Sequence, residues 1–111
     1  MIQRGEIWIA NLDPTKGHEQ GHTRPCLIIS VDSFNNGPAK LLIIAPLTSK
    51  DRSIPLHVEI SPPEGGVKNT SYILCDQIRT ISSDRLKNRW GQISNNTMLK
   101  VEKRIQQLLG L

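Results

Sequence analysis

The stretch G-H-E-Q-G-H-T-R-P-C, residues 17–26, crowds groups that can do chemistry. His18-Glu19-Gln20-Gly21-His22 spells H-E-x-x-H. On a helix, that spacing sets two imidazoles on one face to bind zinc, with the glutamate as general base of a metalloprotease. This copy has no means of forming the helix. Gly17 and Gly21 each cost about 1 kcal/mol in a helix interior, and Pro25 pushes the residue before it out of helical space. No apolar periodicity flanks the motif. A structural metal on His18, His22 and Cys26 fares no better, because Cys26 opens an apolar strand and no fourth ligand is in view. We expect neither metal nor cofactor.

A second set of residues is richer. The long Gly-rich loop delivers Arg24 to the mouth of an apolar run, and its guanidinium offers five donors in a fork that fits a phosphate. The next apolar run ends in P-L-T-S-K-D-R, so Thr48 and Ser49 leave it with hydroxyls, followed by Lys50 and Arg52. If the two runs are antiparallel neighbours, Arg24 faces Thr48. Asp76 and Gln77 then place a carboxylate and an amide inside an otherwise apolar run. A buried Asp76 needs a partner, and an arginine is the natural one. The bland alternative is an Arg–Asp pair that only fixes the fold. Three polar features converging from three elements favour a site, with Asp76 orienting Arg24. His57 stands alone in a β-run, where a surface or packing role is the default.

The elements that must hold these residues are short. Strands are expected at 6–12, 25–31, 40–48, 56–60, 71–81 and 89–93, with 25–31 and 40–48 apolar enough to be buried on both faces. Turn-rich loops separate them, and S-S-D-R-L-K can form one helical turn capped by Ser82 or Ser83. Met98, Leu99, Val101, Ile105, Leu108 and Leu109 recur at helical spacing, with caps at 94–96 and a stop at Gly110. The apolar stripe of this helix suits core packing or a dimer contact. Short strands followed by one helix predict a mainly β domain, a small barrel or strongly bent antiparallel sheet with a C-terminal helix.

The bulk numbers agree with one domain, residues 1–111. A net charge of +4 and a pI of about 9.4 tolerate a polyanionic partner. Cys26 and Cys75 lie in apolar runs and are expected as buried, reduced thiols. No stretch approaches the roughly 20 apolar residues that span a bilayer, so no membrane role and a cytoplasmic location are expected. Aromatics make up only 4% of the chain, which does not support a base-stacking platform of several rings. Trp8 is expected in the core, and Phe34 is the aromatic expected at the surface.

The combination R-G-E-I-W, D-P-x-x-G-x-E-Q, R-P, T-S and D-Q-x-R-x-I, from Arg4 to about residue 81, resembles the MazF/PemK (Kid-like) toxins of type II toxin–antitoxin systems. The resemblance implies an SH3-like barrel of the plasmid-maintenance toxin fold, shared with CcdB, and a homodimer. It further implies a sequence-specific, metal-independent endoribonuclease. Such toxins cut single-stranded RNA by 2′-OH attack, leaving a 2′,3′-cyclic phosphate and a 5′-OH. A cognate antitoxin inhibits them through an acidic, flexible segment.

Carried onto this chain, the resemblance makes Arg24 and Thr48 the catalytic pair. Guanidinium does not normally give up its proton, so Asp76 and His18 are the candidates for the base. One branch of the family uses a trio of histidine, aspartate and an arginine two positions before it. This chain keeps His18 and Asp76 but has Leu74 in the arginine's place, so the trio is broken and the Arg–Thr pair is intact. RNA contacts are expected from His18, Glu19, Gln20, Ser49, Lys50, Arg52 and Gln77. The rival readings are a CcdB-like, non-enzymatic inhibitor of DNA gyrase on the same fold, and a binding-only barrel.

Overall fold

The computed structural model describes residues 1–111. Its strands are β1 (Glu6–Asn11), β2 (Thr23–Ile28), β3 (Leu41–Thr48), β4 (His57–Ile60), β5 (Ser71–Leu74), β6 (Arg79–Ser82) and β7 (Leu86–Gln92). Two helices, α1 (Asp32–Asn35) and α2 (Asn95–Leu109), complete the regular structure. The strands form one antiparallel seven-stranded sheet in the order β4-β5-β3-β2-β1-β7, with β6 beside the first half of β3. The mainly β architecture with a C-terminal helix is the one expected.

The apolar runs of β2 and β3 are buried on both faces because the bent sheet holds a core on each side. Ile7, Leu27, Ala45, Leu47 and Ile73 pack with Met98 and Val101 of α2. Cys26, Ile28, Leu42, Ile44 and Ile81 form the second core, against which Trp8 packs. Both cysteines are free and buried. Burial pushes each thiol up to about 12, so neither is a nucleophile at neutral pH.

Helix α2 starts where its caps predict. Ser94 Oγ accepts from Thr97 N–H, and the chain stops at Gly110 with a left-handed φ of 72°. Only part of its apolar stripe is core: Met98 and Val101 are buried, while Leu99, Leu108 and Leu109 are exposed.

The expected single strand over 71–81 is two strands. β3 pairs with β6 through Leu41–Ile44 and with β5 through Leu47–Thr48. Between those ladders stands Pro46, which has no N–H to donate. Opposite it the chain leaves the sheet as a 3-10 turn, Cys75–Gln77. Asp76 and Gln77 therefore sit on a turn beside a gap in the sheet. D-S-F-N, expected as loop, closes into the short α1. Residues 83–85 form the expected turn, with Ser82 Oγ accepting from Asp84 N–H, and β7 begins at Leu86 rather than at residue 89.

The R-G-E-I-W segment is structural. Glu6 is buried, and its carboxylate accepts from Gln3 N–H, the Trp8 indole and Arg89. Arg4 donates to Glu102 of α2 at 2.6 Å and to the Ile29 carbonyl at 2.9 Å, tying the N-terminus to the last helix.

Candidate active site

The β1–β2 loop is held by its own polar groups. Asp13 accepts from His22 N–H at 2.8 Å, and Glu19 accepts from Lys16 N–H at 2.7 Å. Gln77 reaches across from its turn to accept Gln20 N–H at 2.8 Å. Residues 17–22 form turns and bends, so His18 and His22 do not share a helix face. No cluster of three or more His, Cys, Asp or Glu side chains is placed to hold a metal ion.

The β2–β3 register, Cys26 opposite Pro46 and Leu27 opposite Ala45, runs on to bring Arg24 level with Thr48. Both line one cavity of about 370 Å³, together with Ser49, Lys50, Lys68 and Trp90. Arg24 is fixed by backbone alone. Its Nε donates to the Gly21 carbonyl at 2.8 Å and its Nη1 to the Leu47 carbonyl at 3.2 Å. Its remaining donors have no protein acceptor, and no carboxylate pairs with it. Burial lowers the Arg24 pKa from its ordinary value. Arg52 pushes the same way by repulsion, while Cys26 and Asp13 oppose. The guanidinium keeps its proton near neutrality and stays a half-buried cation with no carboxylate in contact. Thr48 is nine-tenths buried, and its Oγ1 accepts from Lys50 N–H at 3.2 Å. That bond leaves the Thr48 hydroxyl proton free to donate into the cavity.

A second cavity, of about 420 Å³, opens at the gap beside Pro46 and is lined by His18, Glu19, Gln20, Asp76, Gln77 and Arg79. Here one expectation fails. Asp76 does not orient Arg24; its Oδ1 lies 2.9 Å from His57 Nε2. The 3-10 turn points Asp76 away from the Arg24 cavity and toward β4. His57, expected at the surface or as packing, is a buried partner, with its side chain 4% exposed.

The expected site residues thus divide in two. Arg24, Thr48, Ser49 and Lys50 share one cavity, while His18, Glu19, Gln20, Asp76 and Gln77 share the other. Arg52 lines neither and acts on Arg24 only through charge. Lys68 and Trp90 were not singled out in the sequence, and His57 was given only a surface or packing role. Trp90 carried a signal, as one of only four aromatics in the chain. Lys68 and His57 carried none, because their positions depend on tertiary contacts.

Comparison with known proteins gives a consistent result. The family described as "PemK-like, MazF-like toxin of type II toxin-antitoxin system" matches residues 3–109. The fold matches a MazF from Deinococcus radiodurans at 28% identity and a TM-score of 0.85, covering 99% of this chain and 97% of that one. A MazE–MazF structure from the same organism matches at 28% identity and a TM-score of 0.79, over 99% and 96% of the two chains. An endoribonuclease in complex with its cognate antitoxin, from a mycobacterial species, matches at 25% identity and a TM-score of 0.81, over 100% and 97%.

Proposed function

The chain belongs to the PemK-like, MazF-like toxins of type II toxin–antitoxin systems, and on that premise we propose that it cuts single-stranded RNA by metal-independent transesterification. One observation carries this reading: a guanidinium with no carboxylate partner shares a cavity with a threonine hydroxyl whose proton is uncommitted.

In the reaction the ribose 2′ oxygen attacks the adjacent phosphorus, and the 5′ oxygen leaves. The 2′ oxygen loses a proton, and the 5′ oxygen gains one. The products are a 2′,3′-cyclic phosphate and a 5′-OH. The phosphorane between them carries extra negative charge on its non-bridging oxygens. Donors already aimed at that charge lower the barrier without reorganising. Arg24 supplies the cation and Thr48 a hydroxyl. Lys50 adds positive charge at the same cavity, and Ser49 a further hydroxyl.

Asp76 serves the neighbouring nucleotide. Its Oδ1 is taken by His57, and its Oδ2 is free to accept from RNA. His18, Glu19, Gln20 and Gln77 surround it as contacts to bases or backbone. The acidic segment of a cognate antitoxin would compete for the same cations, in keeping with relatives named as MazE–MazF complexes. A homodimer and a cytoplasmic location belong to the same reading; no helix is long and apolar enough to cross a membrane. The gyrase-inhibitor reading draws no support from relatives named as endoribonucleases.

The test is cleavage of mixed-sequence single-stranded RNA by the purified chain in excess EDTA, with end-group analysis. Cyclic-phosphate and 5′-OH ends are expected. Intact RNA, together with inhibition of gyrase supercoiling, would overturn the reading.

A further inference from the structure

Trp90 lies at a break in the β1–β7 ladder. Ile7 pairs with Gly91 and Trp8 with Arg89, so Trp90 has no residue opposite and forms a β-bulge. Bulges re-aim side chains, and they are common beside active sites. This one puts the indole at the wall of the cavity that holds Arg24 and Thr48. The inner side of the ring packs against the core shared with α2. Gly66 presses on the Trp90 backbone: a Cβ there would fall 2.2 Å from the Trp90 carbonyl oxygen. That close approach brings Lys68 over the indole, with Nζ 5.5 Å from the ring centroid.

The ring is packed against the core on one side, partly exposed, and overlain by the exposed Lys68. A cation over an exposed ring is a weak contact, and stacking by a nucleobase is stronger. A base arriving on the indole would displace the ammonium into a cavity already built for a phosphate. The displaced Lys68 would then meet the next phosphate of the strand. An aromatic face, a lysine and a phosphate-binding arginine together suit a nucleotide better than an acidic peptide, which would use the cations and leave the ring idle.

We propose that Trp90 and Lys68 form a nucleotide subsite beside the scissile phosphate, the indole stacking one base and Lys68 neutralising the next phosphate of the strand. The proposal rests on the RNA-cutting reading and adds a specificity element to it.

The test uses the full chain and a short mixed-sequence single-stranded RNA, made uncleavable by 2′-O-methyl riboses. Binding should quench the intrinsic fluorescence of wild type but not of Trp90→Phe. Trp90→Ala should bind about tenfold more weakly, with Trp90→Phe retaining most of the affinity. Lys68→Gln, a change at an exposed side chain that leaves folding intact, should reduce the salt dependence of binding by about one phosphate contact. Wild-type affinity, quenching and salt dependence in these variants would overturn the subsite, while cleavage by wild type would still uphold the ribonuclease. Loss of antitoxin binding alone, with RNA binding unchanged, would also overturn it in favour of a peptide contact. Failure of wild type to bind or cut any RNA would overturn both readings.

Discussion

Arg4 and Arg89 differ from Arg24 in what holds them, although Arg89 on β7 and Arg24 on β2 flank the same strand, β1. Each of the first two has a carboxylate, Glu102 for Arg4 and buried Glu6 for Arg89. Arg24 has only the carbonyls of Gly21 and Leu47. A cation that serves the fold is neutralised within the fold. Arg24, half-buried and held by backbone carbonyls alone, keeps its charge available to a ligand; Arg79, on the second cavity, is likewise held only by a backbone carbonyl, that of Leu12. The motifs R-G-E-I-W (4–8) and R-P (24–25) each present an arginine, and only the structure shows which one is paired.

The sharpest way to break this division is to remove the free cation. Arg24→Ala should lower the cleavage rate by about a thousandfold. Thr48→Val keeps the shape of the side chain and loses the hydroxyl, and its rate should fall by about a hundredfold. Single-turnover cleavage measures both.

Glu6→Gln probes the paired side of the comparison. It leaves a buried amide where three donors meet a carboxylate, and should destabilise the fold by about 2 kcal/mol in urea unfolding. Cleavage per folded molecule should be unchanged.

The same region should respond to acid. Burial alone would raise the carboxyls of Glu6 and Glu64. The donors around them outweigh it: Gln3, Trp8 and Arg89 for Glu6, and Thr97 and Ser94, with Lys100 nearby, for Glu64. Both carboxyls therefore titrate below their ordinary value. A depressed folded pKa means that the stabilisation is fully present above the unfolded value of about 4.3 and is lost as pH falls through the folded values. Unfolding free energy should drop on that acid limb, and Glu64→Gln should flatten it.

The smallest effect belongs to Arg4→Ala. That pair is partly exposed, with side-chain exposures of 33% and 37%. Its loss should cost less than about 1 kcal/mol.

The sequence made the two-sided burial of β2 and β3, the caps of α2 and the Arg24–Thr48 alignment readable. Each depends on local pattern or on pairing of neighbours in the chain. Asp76 was misread because its partner depends on what faces it across the fold. In the sequence, C-D-Q looked like part of a strand; the missing N–H of Pro46 on β3 marks where that strand breaks. His57 could not be assigned for the same reason, since only the turn at Cys75–Gln77 brings Asp76 to it. Trp90 looked like an ordinary strand residue, and a one-residue bulge against β1 is what turned it toward the cavity. Long-range register, rather than residue type, hid these three.

The most direct test of the division between paired and free arginines is the stability of Arg24→Ala, measured by urea unfolding beside wild type and Glu6→Gln. The account predicts that Arg24→Ala stays within about 1 kcal/mol of wild type, because only neutral backbone acceptors lose a partner. A destabilisation as large as that of Glu6→Gln, with cleavage per folded molecule intact, would contradict it and make Arg24 one more structural arginine.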